Sequence, residues 1–344
     1  MSAPDAHGSD VRRSDADAPA PRARLDRRAD PATLFAAAES GDRVALARLL
    51  SVVERGGAPG RAVAHTAYRR GAEAATVGIT GAPGAGKSTL VDRLITAARA
   101  EGSELGVLAI DPTSPFSGGA ILGDRVRMQD HALDDGVYIR SMATRGHLGG
   151  LALAVPEAVR VLAAVGLPLV LVETVGVGQV EVEVAAATDT TVVVLNPRWG
   201  DAVQANKAGL LEIADVFAIN KADLPGAAET RRDLEQMLDL SADTGWRPPI
   251  VETVAATGAG VEALWSEVHR HQDHLAAGGG LVQRRAARLE RELREVLAAR
   301  IEDEIRRLTG AGAFSVLAHE VVEHRLDPYE AADRLIDEVG RTGR

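Results

Sequence analysis

Cysteine is absent from all 344 residues, and its absence excludes disulfides, thiolate zinc sites, iron–sulfur clusters and cysteine nucleophiles. Such a chain fits a reducing compartment, so a cytoplasmic location is expected. Positive charge is also short. Thirty-nine Lys and Arg face forty-nine Asp and Glu, a formal net charge of −10, which argues against a nucleic-acid binder or a protein of anionic membrane surfaces. Long apolar runs are missing as well. The longest, Val161–Val172, is cut by Gly166 and Pro168 and is too short to cross a bilayer. Residues 1–30 alternate Asp, Arg, Ala and Pro with no apolar centre, so no signal peptide is read there. Aromatic residues make up only 3%, while Ala, Val, Leu and Gly abound, as expected of an α/β protein with buried parallel strands.

The organisation of the chain follows from its punctuation. Residues 1–29 are polar and broken by proline and read as a disordered tail. Structure is expected to begin at Asp30-Pro31, an N-cap followed by proline at the first helical position. Leu34, Phe35 and Ala38 mark one short helix; Val44, Leu46, Leu49, Leu50 and Val53 mark a second after Gly41-Asp42. Gly-Gly-Ala-Pro-Gly at 56–60 reads as a linker, so residues 30–74 form a helical preface.

From Ala75 short β-type runs alternate with helical stretches. The runs are Val77–Thr80, Leu105–Ile110, Val137–Arg140, Leu169–Val172, Thr190–Leu195, Val216–Asn220 and Ile250–Val254. Helices are expected at Ser88–Ala100, Gly150–Ala164, Ala202–Glu212, Thr230–Leu240 and Val261–His274. That alternation predicts βαβ units and a mostly parallel sheet over 75–277. After Gly278, apolar residues from Leu289 to Leu308 fall three or four apart and predict a long amphipathic helix. A second helix is expected near Ala313–His324, and a third opening at Asp327-Pro328 with Glu330 completing a capping box. No strand follows to bury them, so 278–344 is expected to be a dimerisation arm.

What the chain does possess is Gly81-Ala-Pro-Gly-Ala-Gly-Lys-Ser-Thr89, set between an apolar strand and a helix. The spacing G-x-x-x-x-G-K-S is that of a phosphate-cradling loop. Backbone N–H groups around Gly81, Gly84, Ala85 and Gly86 ring a phosphate, the helix start adds its dipole, and Lys87 adds a point charge. Ser88, with Thr89 beside it, supplies a hydroxyl for Mg²⁺. Downstream, Asn220-Lys221-Ala-Asp223 ends a strand, where Asp223 can accept from guanine N1–H and N2–H₂, a donor pair adenine lacks. GTP is therefore expected over ATP. Thr253-Val-Ala-Ala-Thr-Gly258 ends the last strand, where the amides of Ala255 and Ala256 can meet guanine O6.

The strand Leu169–Val172 runs into Glu173, a carboxylate placed to hold a metal-bound water, with a helix cap as the plainer role. Gly176 can offer its N–H to a γ-phosphate. The residue after it is Val177, so the water-orienting glutamine of Ras-type enzymes is not in its place, and Gln179 is offset; slow hydrolysis raised by a partner is expected. Asp111 ends another strand and suits the attacking water or the metal's shell, or else a turn. Asp124 can approach the metal from a loop, or cap the helix after it. Trp199 is a partner contact or a cover for the core. His269, His271 and His274 read as the polar end of a helix rather than a metal site.

These strings together resemble the methylmalonyl-CoA mutase-associated GTPases of the MeaB or ArgK type. The matching text is Gly-Ile-Thr-Gly-Ala-Pro-Gly-Ala-Gly-Lys-Ser-Thr, Ile-Asp-Pro-Thr-Ser-Pro, Gly-Gly-Ala-Ile-Leu-Gly-Asp124, Arg145-Gly-His-Leu-Gly-Gly150, Glu-Thr-Val-Gly-Val-Gly-Gln and Asn-Lys-Ala-Asp. The resemblance spans about residues 31–340. It implies a P-loop GTPase domain, a homodimer held through the C-terminal helices, slow Mg²⁺-dependent GTP hydrolysis, and an adenosylcobalamin-dependent acyl-CoA mutase as partner, whose cofactor delivery and protection the GTPase serves. It carries Lys87 and Ser88 to the phosphates and Mg²⁺, Asp111, Asp124 and Glu173 to the metal and water, and Asn220, Lys221 and Asp223 to the base. Asp201 and Lys207 match a further mobile loop, while Arg198-Trp199 and Val180 depart from many members. Two rival readings stay open: an ATP-dependent kinase of an older transport-associated label, though no kinase catalytic-loop string occurs, and a nickel-delivery GTPase, though its Cys/His cluster is missing.

Overall fold

The computed structural model describes residues 29–112, 131, 133–144, 150–174, 179–197, 209, 212–240 and 245–342. The tail at 1–28, Asp124, Gly176, Trp199, Asp201 and Lys207 lie outside these residues. So does most of the helix expected at 202–212, of which 209 and 212 are described and helical.

All seven expected runs are strands: β1 (Ala75–Gly81), β2 (Leu105–Pro112), β3 (Val137–Thr144), β4 (Leu169–Thr174), β5 (Thr190–Leu195), β6 (Val216–Asn220) and β7 (Ile250–Thr253). They form one sheet in the order β3-β2-β4-β1-β5-β6-β7, every pairing parallel. β1, which leads into the phosphate loop, is thus the central strand, flanked by β4 and β5.

The two faces of the sheet are sorted by residue parity, because successive strand residues point to opposite sides. Val77, Ile79, Leu169, Leu171, Val192 and Val194 pack in one layer with α4 (Lys87–Ala100) and α8 (Val261–Ala277). Leu108, Ile110, Val170 and Val172 face the other layer, with α5 (Gly150–Ala164), α6 (Gln179–Ala187) and the preface. α7 (Ala227–Asp239) covers Val193, Leu195, Phe217 and Ile219 near the sheet edge. Strands buried on both faces explain why the runs read as continuously apolar.

The preface holds three helices, α1 (Pro31–Glu39), α2 (Arg43–Arg55) and α3 (Gly57–Arg70). Residues 56–60 are therefore not a linker. Gly56, at φ 68°, ends α2 and starts α3 at once, and Pro59 falls in the first turn, where no backbone donor is needed. Val63 and Ala67 of α3 join Leu46, Leu49 and Leu50 in the core, whereas Val44 is exposed. α6 is a helix that the sequence pattern concealed, since Gln179-Val-Glu-Val-Glu-Val-Ala alternates with the period of a strand.

The C-terminal segment also differs from expectation. The first two expected helices are one, α9, running unbroken through Gly280–Val322, followed by α10 (Pro328–Thr342). Gly310 and Gly312 lie inside α9. A helical glycine costs only about 1 kcal/mol, and no proline stands between 280 and 322 to stop the helix. The start of α9 does not hang free for a partner: it is fastened beneath the sheet. Arg284 donates to both Asp215 carboxylate oxygens at 2.7 and 2.8 Å, and Arg285 and Arg288 each reach Asp189 at 2.7 Å. Further along, Arg160 of α5 pairs with Glu292. Beyond that point Leu293, Leu297 and Ile301 are exposed.

Candidate functional site

The site is assembled at the carboxyl ends of β1, β4, β6 and β7, where ligands of open α/β sheets bind. β1 delivers Gly81 into the loop at φ 130°, and a Cβ there would overlap the Val194 carbonyl. Gly84 and Gly86 also hold positive φ, 74° and 92°, and a Cβ on Gly86 would strike the Asn220 amide. Only glycine lets the backbone take this curve at these contacts. The loop ends at the first turn of α4, whose unsatisfied N–H groups and positive dipole end face the cradle.

Lys87 is buried, and its ammonium donates to the carbonyls of Gly81 at 2.7 Å and Ala82 at 3.0 Å. The cation thus rests on its own loop. Ser88 is next to it, and its hydroxyl donates to Glu173 Oε1 at 2.6 Å, fully inside the protein. Parity explains the meeting. Glu173 continues the series Leu169, Leu171 that faces α4, so the carboxylate emerges under the helix's first turn. The neighbouring Thr174 faces the opposite layer, where its hydroxyl meets that of Thr80 at 2.9 Å. Thr89 is in the same turn of α4 and half-buried.

Asn220 is the hub that joins the phosphate loop to the loop after β7 expected to hold the base, the base loop. It continues the series Val216, Ala218 toward α4. Its amide donates to Ala85 O at 2.8 Å, and its carbonyl oxygen accepts from Thr253 Oγ1 at 3.2 Å and Ala255 N at 3.0 Å. Lys221 sits in the left-handed region, φ 60°, and its ammonium reaches across to Gly84 O at 2.8 Å. Asp223, two residues on, is exposed. The Ala255 amide is taken by Asn220, which leaves the exposed Ala256 as the other amide proposed for the base.

Asp111 stands near the end of β2, paired in register with Ala143 of β3 and separated from β1 by β4.

Some contacts had no signal in the sequence. Arg93 of α4 donates to the carbonyls of Ala255 at 3.1 Å and Ala256 at 3.2 Å, bracing the base loop from behind. His271 is no exposed helix end. It is buried, with Nδ1 2.9 Å from Thr190 Oγ1 and Nε2 3.2 Å from Asp215, and burial pushes its pKa down to about 4 against the pull of Asp215. His269 pairs instead with Glu101, and His274 stacks near Trp246. Burial alone would raise Asp189, but the hydrogen bonds and charges of Arg285 and Arg288 outweigh it and hold the carboxyl below its ordinary value. Arg284 and Arg288 fall one helical turn apart, a spacing that could have flagged this basic stripe.

The family model described as methylmalonyl Co-A mutase-associated GTPase MeaB matches residues 46–309. A protein described as a GTPase from Pyrococcus abyssi is 48% identical over 305 residues, covering 88% of this chain and 94% of that one. The mouse mitochondrial methylmalonic aciduria type A homolog is 36% identical over 214 residues, 61% of this chain and 52% of its own. Among solved structures, one described as a LAO/AO transport system kinase is similar with a TM-score of 0.69 at 25% identity, covering 92% of this chain and 99% of that one.

Proposed function

The chain belongs to the family of methylmalonyl-CoA mutase-associated GTPases, and on that premise we propose that it hydrolyses GTP in the service of an adenosylcobalamin-dependent acyl-CoA mutase. GTPase activity goes with the family and with the P-loop fold. The mutase partnership, with gating of cofactor delivery and protection of the mutase, is our reading. Its support is the family description and the similarity to the mouse methylmalonic aciduria homolog.

The observation that carries the nucleotide reading is the joining of two loops by Asn220, which spans Ala85 of the phosphate loop and Ala255 of the base loop. In this reading the amides from Gly81 to Thr89 enclose the phosphates, and Lys87 exchanges its carbonyl partners for phosphate oxygens. Asn220 and Lys221 hold the base loop, and Asp223 accepts from the guanine edge. Mg²⁺ fits the residues present: Ser88 and Glu173 bring a hydroxyl and a carboxylate within 2.6 Å, the hard oxygen donors that this ion takes. Bound there, the ion would neutralise charge developing on the phosphates. Asp111 and Asp124 complete our proposed set around metal and water, and Gly176 our proposed γ-phosphate contact.

A homodimer through the C-terminal arm belongs to the same proposal, supported by the exposed leucines of α9 beyond Glu292. The decisive experiment adds a purified acyl-CoA mutase with its cobalamin to the GTP-loaded protein. Hydrolysis is expected to rise on the order of tenfold or more and the mutase to co-elute. An unchanged rate with no co-elution would remove the mutase from the proposal.

A further inference from the structure

Arg93 lies on the phosphate-loop helix, outside every motif, yet its guanidinium closes on two successive carbonyls of the base loop. From this we infer that Arg93 is a positioning residue for guanine specificity, aiming the Ala256 amide at the 6-oxo group of the base. The inference rests on the reading that Asp223 takes the guanine edge.

The geometry follows from peptide planarity. The carbonyl of Ala255 and the N–H of Ala256 belong to one trans peptide unit and point in opposite directions. Arg93 Nε holds the Ala255 carbonyl at 3.1 Å, so the Ala256 N–H is turned away from α4. Arg93 Nη2 holds the next carbonyl, Ala256 O, at 3.2 Å, and the N–H of that unit, on Thr257, is already given to Val254 O at 3.0 Å. The Gly258 N–H also goes to Val254 O, at 2.9 Å, and the Ala255 N–H goes to Asn220. Of the four consecutive amides from Ala255 to Gly258, three are thereby spent, and the Ala256 donor is the one of the four left for a ligand.

Position and chemistry then agree. The base loop is stitched to the turn carrying Asp223, since Ala222 N donates to Thr253 O at 3.0 Å. Guanine places O6 beside N1–H, so an acceptor of the Asp223 kind needs a donor as its neighbour. Adenine would present an amino group there, donor against donor, a mismatch that leaves both groups unpaired. A guanidinium suits the bracing role because its planar fork meets two acceptors at once, which a lysine ammonium does not.

The test compares GDP with 6-thio-GDP, which keeps N1–H and N2–H₂ but carries a weaker acceptor at position 6. Wild-type protein is expected to prefer GDP by roughly two- to tenfold, the span of one neutral hydrogen bond. Arg93→Ala is expected to weaken GDP by a similar factor and to bring the ratio of the two affinities to near one. Arg93→Lys should fall between. Nucleotide-free melting temperatures establish that each variant is folded. If Arg93→Ala lowers both affinities equally, or leaves the ratio at its wild-type value, Arg93 is only a strut and the inference is overturned. Asp223→Asn titrated with xanthosine diphosphate separates the two readings: a gain for xanthine upholds the base edge whatever Arg93 does.

Discussion

Asn220 shows how much a single side chain can be asked to do. Its amide makes three bonds, to Ala85 O, Thr253 Oγ1 and Ala255 N, and all three lie inside the protein. Removing them strands a buried carbonyl and a buried amide, each costing roughly 1–3 kcal/mol. Asn220→Ala is therefore expected to lose stability of that order in urea unfolding and to bind GDP on the order of tenfold or more weakly by calorimetry. Unaltered GDP affinity would show that the two loops hold their shape without this bridge. The motif residue was visible in the sequence because N-K-x-D stands at a strand end. Arg93, which holds the same loop through the carbonyls of Ala255 and Ala256, was not, because a lone arginine on an amphipathic helix looks like any solvated charge.

At the scale of elements, α9 is two things in one helix. Its first turns are clamped to the floor of the sheet, where Asp189 and Asp215 cap the starts of β5 and β6 and receive Arg284, Arg285 and Arg288. The Asp189 oxygens also accept from the Thr76 amide, so the clamp reaches the central strand. Cutting the chain at Gly280 would strip both buried carboxylates of these arginines, a loss that for a buried pair runs to roughly 3–5 kcal/mol. Cutting after Glu295 keeps the clamp and removes the rest of α9 together with α10. The shorter protein is expected to bind GDP normally and to run as a monomer in light scattering. A dimer that survives this truncation would take the arm out of the assembly. The amphipathic period announced the helix, but not that it is fused with its successor, nor that its beginning is a structural clamp.

Over the whole molecule, one buried and one half-buried group set opposing pH dependences. His271 titrates near 6.5 when unfolded and at about 4 when folded, because burial disfavours its cation. The unfolded chain binds the extra proton, so this contribution is intact above pH 6.5 and is lost as pH falls toward 4. Glu157 on α5 behaves in the contrary sense. Burial, joined by the charge of Glu292 and opposed by Arg160, raises it from 4.5 to about 7, so its contribution is present at low pH and lost as pH rises through 7. Glu157→Gln is expected to raise the melting temperature at pH 8 and change it little at pH 4.5. His271→Asn is expected to flatten the fall in stability between pH 6.5 and 4. Parallel pH profiles for variants and wild type would show that neither group carries the dependence.

The sequence alone settled the strands, the phosphate loop and the base motif. Apolar runs on a buried parallel sheet need no distant partner to be recognised, and glycine spacing at a phosphate is dictated by the loop itself. What only the tertiary structure decided was which distant residues meet. Strand parity brought Glu173 under Ser88, 85 positions away, and packing carried Arg93 to a loop 162 positions further on. It also turned a strand-like alternation into α6, because Val184 and Ala187 were needed in the layer over β1 and β4. Long-range contacts of this kind leave no local period in the chain, and folding alone assigns them.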